Sequence, residues 1–343
     1  MKRLARFVQC AAVMFVVVLC GCDKTDDYIY NPPQDSSIPS RESINVNWTE
    51  VSSPFASDEE IKKLVFLRNS IFLIGYKYSN VIYQSKVYRT DNGTVWREMN
   101  IRVDGVLVRE VYDIDIDGST IYFGTHQGLV VSYDNGRSFS WVFQWGWDEV
   151  GSVDFIDGYG WGWINSWGSF SGLFRSTSRD PVEHIRGPEN HGFAKVFPDP
   201  FYPRSIVFLG HYSRYKGQIT IDSGRTWTNL SSAVTYVSKL GDQTFVCSSS
   251  SYSLDRGQTW LPLRLNLEEW SPNIILYDNI LFAVEEHKKG AVVGNLSGSW
   301  KTLGLSDCEI NYLAVGQDKL WATSSNRLFN ASLLEISQQF NAQ

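Results

Sequence analysis

The sequence predicts an all-β fold, a closed ring of seven four-stranded antiparallel blades. Three observations predict it. Aromatic residues make up 14% of the 343-residue chain, and flat rings suit pleated, half-buried surfaces. An Asp–Gly turn recurs along the chain, with two of its copies 88 residues apart, twice 44. Seven pairs of short apolar segments, most with turn residues between them, follow one another through the body. With 43% hydrophobic and 20% charged residues the chain is globular. Its net charge of -6, without a block of Lys and Arg, excludes nucleic acid as the main partner.

Residues 1–21 read as a signal peptide. Lys2, Arg3 and Arg6 precede an apolar stretch from Phe7 to Leu19, too short to span a bilayer but suited to a signal core. The stretch ends in Leu19-Cys20-Gly21-Cys22, which resembles the bacterial lipobox and implies lipidation of Cys22, with Cys20 as the alternative acceptor. The chain is then expected in the bacterial cell envelope, held to the membrane through its N-terminal lipid. Asp23 resembles an inner-membrane retention signal, so the inner-membrane periplasmic face and the cell surface are both open. Cleavage before Cys22 removes three positive charges and no negative ones, leaving -9. Residues 22–42, with Pro32, Pro33 and Pro39, read as a lipidated tether. Its extended reach is roughly 60 Å at ~3.1 Å per residue.

Residues 43–335 form the ring. Its inner hairpins run from Leu64 to Ile74, Tyr112 to Phe123, Val153 to Trp163, Lys195 to Leu209, Tyr236 to Val246, Ile274 to Phe282 and Tyr312 to Trp321. Six or eight blades are the alternative counts. The seventh unit has a third strand near Arg327–Leu333 but no fourth. The segment Ile44 to Val51, containing Trp48, supplies the missing strand and closes the ring without leaving a sheet edge. Residues 336–343 read as a C-terminal tail.

The recurring turn is Asp91-Asn-Gly93-Thr-Val-Trp96, Asp134-Asn-Gly136-Arg-Ser-Phe139, Asp222-Ser-Gly224-Arg-Thr-Trp227 and Asp255-Arg-Gly257-Gln-Thr-Trp260. The last three have Ser132, Thr220 or Ser253 two residues before the Asp. Decayed copies follow at Ser176–Asp180 and Asn295–Trp300. Asp accepts backbone donors in such a turn, Gly takes positive φ, and the aromatic opens the outer strand. This pattern resembles the Asp-box, or bacterial neuraminidase repeat, of β-propellers. Nearly all of the mature chain resembles the seven-bladed photosystem II assembly-factor-like propellers, through motifs that are architectural. That resemblance implies a scaffold that binds a membrane-protein partner, with the boxes as framework.

The same resemblance raises sialidase-like glycoside hydrolysis or carbohydrate binding as the alternative. Such enzymes carry a Phe/Tyr-Arg-Ile-Pro motif, and Tyr88-Arg89-Thr90 and Tyr202-Pro203-Arg204 do not match it. Asp113-Ile-Asp115-Ile-Asp117-Gly118 superficially resembles a calcium loop, but the bidentate Glu required at position 124 is Gly. It reads instead as a strand with one acidic face. The histidines at 126, 184, 191, 211 and 287 show no metal or catalytic spacing. No cofactor, metal or catalytic residue is expected. Cys247 and Cys308 fall in non-neighbouring blades, and a disulfide between them is the less favoured reading.

Blade links and middle loops should share the face opposite the boxes. On that face the sequence places Trp145, Trp147, Trp167, His184, Arg186, His191, Tyr212, Arg214 and Tyr215. Trp141, Trp161 and Trp163 fall in strands and read as blade packing. Aromatics interleaved with Arg are what interface hot spots use. The expected function is therefore a non-enzymatic scaffold that binds an envelope protein through this patch, with a glycan as the alternative partner.

Overall fold

The structure is a computed structural model. It describes residues 41–78, 83–144, 149–165, 172–177, 182–185, 187, 194–211, 216–265, 274–284 and 289–341. Seven four-stranded antiparallel sheets form the blades of a propeller. Blade 1 consists of Glu59–Leu67, Ser70–Tyr78, Tyr83–Thr90 and Arg97–Glu98, from the inside outward. Blade 2 is Val111–Asp117, Thr120–Thr125, Gly128–Ser132 and Ser140–Gln144. Blade 3 is Glu149–Ile156, Tyr159–Asn165, Gly172–Thr177 and Glu183–Ile185. Blade 4 is Ala194–Pro198, Val207–His211, Gln218–Thr220 and Thr228–Asn229. Blade 5 is Tyr236–Leu240, Gln243–Cys247, Ser251–Ser253 and Leu261–Pro262. Blade 6 is Ile274–Tyr277, Ile280–Val284, Lys289–Gly294 and Trp300–Glu309. Blade 7 is Tyr312–Gly316, Lys319–Ser324, Arg327–Ser332 and, as its outer strand, Thr49–Val51 from the N-terminal side.

The expected closure is therefore present. Thr49 pairs with Asn330, Glu50 with Phe329 and Val51 with Leu328. Upstream, Ser43 bridges Thr302 of blade 6 in parallel, and the Ile44 amide donates to the Thr302 carbonyl. The N-terminal segment thus straps blade 6 to blade 7.

The core is divided among the blades. Seven apolar clusters each join two successive blades, and the seventh joins blade 7 back to blade 1. Trp161 and Trp163 are buried between blades 3 and 4, and Trp141 packs between blades 1 and 2, as strand residues should. Tyr122 and Phe155 stack at 3.5 Å between blades 2 and 3. Cys247 is buried and Cys308 half-buried, and both are free.

The repeated turns join third to outer strands. In blade 4 the Thr220 hydroxyl donates to Asp222 Oδ1 (2.8 Å) and accepts the Gly224 amide (2.8 Å). Asp222 also accepts the Thr226 amide and hydroxyl. Blades 2 and 5 repeat this around Asp134 and Asp255. Gly224 has a φ of +85°, which a side chain would strain. The Thr226 bonds hold the Asp222 carboxyl down at about 2. At Asp255 burial opposes the shift, yet the Thr259 bonds prevail and the value is again about 2.

Blade 1 departs from the pattern. Its copy is one residue shorter from Thr90 to Trp96 than blade 2 is from Ser132 to Phe139, and Asn92 takes the central place. Asn92 Oδ1 accepts the Thr94 and Val95 amides and the Thr90 hydroxyl. Asp91, which the sequence pattern aligns with the other Asp residues, turns away to Ser70 Oγ (2.5 Å) and Arg89. The decayed copy of blade 6 likewise uses an amide, with Asn295 Oδ1 accepting the Ser299 amide. The other decayed copy extends beyond the described residues after Thr177.

Two elements were not expected. A short hairpin, Arg102–Val103 with Val106–Leu107, fills the link from blade 1 to blade 2 around an Asp104–Gly105 turn with positive φ at both positions. Leu333–Asn341, mostly within the segment read as a tail, is a helix. It buries Leu333 and Ile336 in the cluster between blades 6 and 7. Its Glu335 accepts the Asn47 side-chain amide at 2.8 Å, which ties it to the N-terminal strap. No described helix is long and apolar enough to cross a membrane.

Candidate functional site

Antiparallel blades put inner-hairpin turns and the repeated Asp–Gly turns on one face. Middle loops and blade links lie on the other. Of the nine residues assigned to the link face, His184 is described. It lies exposed in the outer strand of blade 3, paired in register with Phe174. Trp145, Trp147, Trp167, Arg186, His191, Tyr212, Arg214 and Tyr215 lie outside the described residues, as does Cys22.

On the same face the structure brings together four residues that sequence reasoning did not group. Glu110 ends the link into blade 2, and Tyr112 is the second residue of its inner strand. His126 sits in the middle turn of blade 2, and Glu149 begins blade 3. The Tyr112 hydroxyl donates to Glu110 Oε2 at 2.6 Å and lies 3.5 Å from His126 Nδ1. His126 Nδ1 is 3.4 Å from Glu149 Oε1 and 3.9 Å from Glu110 Oε2. The His126 amide donates to the Glu110 carbonyl, which fixes the middle turn against the link. Burial, then the bond to Glu110, raises the Tyr112 phenol far above its ordinary value. Tyr112 is therefore a hydrogen-bond donor here and a poor nucleophile.

Glu110 also borders a cleft of about 350 Å³ between the third strand of blade 1 and the link into blade 2. Lys86, Glu98, Met99, Leu107 and Arg109 line it too. Its volume lies within the range of small-ligand pockets, about 300–1,000 Å³. Lys86 is committed to the buried Glu59 at 2.6 Å. The signal that was available in the sequence was positional. Glu110 and Glu149 each stand at the start of an inner strand, where a link delivers the chain to the channel.

The acidic strand of blade 2 lines the central channel and is structural. Asp113 Oδ2 accepts the Val153 amide at 2.9 Å, Asp115 Oδ2 the Phe155 amide at 2.6 Å, and Asp117 Oδ2 the Gly158 amide at 2.5 Å. All three donors belong to the inner hairpin of blade 3. An innermost strand has an unpaired edge, and alternate carboxylates satisfy it here as a neighbouring strand would. Asp113 Oδ1 also pairs with Lys63 Nζ of blade 1 at 2.5 Å. Burial works against the Lys63 charge, but Asp113, Tyr312 and Asp115 outweigh it and hold the ammonium above the usual lysine range. Among the described residues no group of three or more His, Cys, Asp or Glu is arranged to hold a metal ion.

This geometry defines a seven-bladed β-propeller with a charged channel and a polar cluster at the link-face end of blades 2 and 3. No family model matches the chain, and no curated protein matches it. Solved structures match it in fold. Virginiamycin B lyase from Staphylococcus aureus has a TM-score of 0.63 at 8% identity, over 84% of this chain and 99% of that one. YCF48 from Cyanidioschyzon merolae has a TM-score of 0.54 at 11% identity, over 83% of this chain and 98% of that one. BamB from Moraxella catarrhalis has a TM-score of 0.51 at 12% identity, over 83% and 98%.

Proposed function

We propose that this chain is a lipid-anchored envelope propeller that binds a protein partner, without catalysis, through its link face. Its repeated turns are Asp-boxes in this reading, and Cys22 is the anchored residue. One observation carries the proposal. The Glu110–Tyr112–His126–Glu149 cluster fixes the ends of two links at the channel rim, and Glu149 directly follows the link that holds Trp145 and Trp147. A half-exposed polar cluster beside an aromatic-rich link has the composition of a protein interface, with anchors set among satisfied polar groups. Trp145, Trp147, Trp167, His184, Arg186, His191, Tyr212, Arg214 and Tyr215 are the proposed contact residues.

The fold leaves the choice of function open, because one of its neighbours is a lyase by name.

The test is affinity capture from detergent-solubilised membranes, with wild type run beside Trp167→Ala/Arg214→Ala. One protein recovered with wild type and depleted with the variant supports the reading. Equal recovery moves the surface elsewhere on the ring. Absence of a captured protein, together with saturable binding of an oligosaccharide, favours the glycan alternative. Metabolic labelling with palmitate tests the anchor: label should persist in Cys20→Ser and vanish in Cys22→Ser.

A further inference from the structure

Blade 1 leaves most of its third strand without an outer neighbour. Tyr83–Thr90 is eight residues long, but the outer strand pairs only with Tyr88 and Arg89, through Glu98 and Arg97. The Met99 amide adds one bond, to the Val87 carbonyl at 2.8 Å. The chain then turns away, with the Ile101 amide on the Met99 carbonyl. In blades 2, 4 and 6 the same end is covered. The outer strand of blade 2 pairs as far as Gly128, where the third strand begins. That of blade 6 pairs as far as Lys289, and in blade 4 the Leu230 amide carries the contact on to Gly217.

The amide and carbonyl of one strand residue face the same side, and successive residues alternate. Val87 meets Met99 on the outer side, so its amide faces outward, as do the amide and carbonyl of Ser85. Among the described residues these three groups have no main-chain partner. Charged side chains commonly guard such an edge. Lys86 does not, because its Nζ is turned to the buried Glu59 at 2.6 Å.

The cleft of about 350 Å³ runs beside this edge. Ser85 and Val87 belong to one wall, Leu107 and Val108 to the other, and Glu98 and Arg109 stand at the rim. Val87 and Val108 are buried, and Leu107 is 40% exposed. Glu98 and Arg109 are exposed, and neither takes part in an ion pair among the described residues.

We propose that an extended, apolar segment of a partner protein docks here as the missing half of the outer strand, antiparallel to Tyr83–Val87. The open main chain supplies affinity, and pockets for alternate side chains supply selection. Every second residue of the added strand enters the cleft against Leu107 and Val108, which calls for apolar side chains at those positions. The rim carries one charge of each sign and gives no reason for a charged segment. A compact ligand could fill the cleft, but only an extended chain also meets the main-chain groups of Ser85 and Val87. The edge shares no residue with the contact patch assigned to blades 3 and 4 and does not depend on it.

The experiment is fluorescence anisotropy of labelled peptides titrated with the full chain in detergent. The probes are capped hexapeptides that alternate threonine with valine, isoleucine, leucine, phenylalanine or tyrosine. At least one should bind saturably. That peptide is then N-methylated at alternate residues in the two possible frames. One frame blocks the amides that face the edge and should weaken binding at least roughly tenfold; the other should leave it nearly unchanged. Hydrogen exchange at the Ser85 and Val87 amides should slow when the peptide is bound. Leu107→Glu should weaken binding about tenfold, with unchanged thermal unfolding showing that the ring is intact. Equal affinity for the two methylation frames overturns the proposal, since an apolar pocket alone has no preferred frame. So does unchanged exchange at Ser85 and Val87, or no saturable binding of any hexapeptide.

Discussion

The Trp48 indole donates to the Leu303 carbonyl at 2.7 Å, which makes the N-terminal strap a true seventh repeat. Trp300 of blade 6 donates to Leu263 of blade 5 at 3.1 Å, and Trp96 of blade 1 donates to Ser52, just past the outer strand of blade 7, at 2.8 Å. Each tryptophan opens an outer strand and reaches back to the outer edge of the blade before it. Trp48 does so although no Asp–Gly turn precedes it. The half-buried Trp48 should lose about 2–3 kcal/mol on change to Ala, below the ~3–5 kcal/mol of a fully buried Trp. Trp48→Phe should cost about 1 kcal/mol, the net worth of one hydrogen bond. Urea unfolding of the two variants measures both values.

Asp199 should be the most sensitive single carboxylate. It is fully buried, accepts the Phe201 and Tyr202 amides, and binds the Thr244 hydroxyl and Arg256 Nε. Those partners tie blade 4 to blade 5. Asp199→Ala should cost about 3–5 kcal/mol, because it strands buried donors and one charge. Asp199→Asn, which keeps the two amide bonds, should cost less than Asp199→Ala in the same denaturation series.

Stability should depend on pH with two limbs of opposite sign. Burial pushes the Asp115 carboxyl up to about 7, against Lys63 and the Phe155 amide. The folded state then holds a proton that the unfolded state has lost, so this contribution falls as pH rises from the ordinary aspartate range to about 7. The turn residues Asp222 and Asp255, both near 2, act the other way. Their contribution is complete above the ordinary aspartate range and is lost as pH falls toward 2. Asp115→Asn should flatten the upper limb and leave the lower one. Thermal unfolding across pH reads both, and an unchanged upper limb would remove Asp115 as its source.

Asn92, and not Asp91, should govern the blade 1 turn. Asn92→Ala removes the acceptor for the Thr94 and Val95 amides, whose hydrogen exchange should accelerate. Asp91→Ala should leave those two amides protected while loosening Arg89, whose guanidinium also reaches the Asn135 carbonyl of blade 2.

Much of this architecture was legible because each blade repeats a local pattern. Seven inner hairpins, the spacing of the turns and the orphaned third strand together fixed the blade number and the donor of the closing strand. What escaped had no repeat to betray it. Asn92 stands one residue from its expected place because its copy is one residue short, and composition does not reveal which oxygen faces the amides. The helix from Leu333 carries an apolar face that matters only against blades 6 and 7. The acidic run of blade 2 was legible as a channel-facing strand. Its purpose was not, since the amides it satisfies lie 40 or 41 residues further on in blade 3. The cluster of Glu110, Tyr112, His126 and Glu149 escaped for the same reason: links from two blades meet there only once the ring has formed.

The strap also sets the order of events in folding. Arg327 and Glu50 form a bidentate pair across 277 residues of chain. Neighbouring blades can assemble from contacts close in sequence, but the last seam must wait for Thr49–Val51 and Arg327–Ser332 to be present together. Distant pairings of this kind slow a fold and leave strand edges unprotected in the interval. A chain that emerges N-terminus first would therefore hold Thr49–Val51 in reserve until Arg327–Ser332 has appeared, and termination upstream of that strand would leave an open crescent.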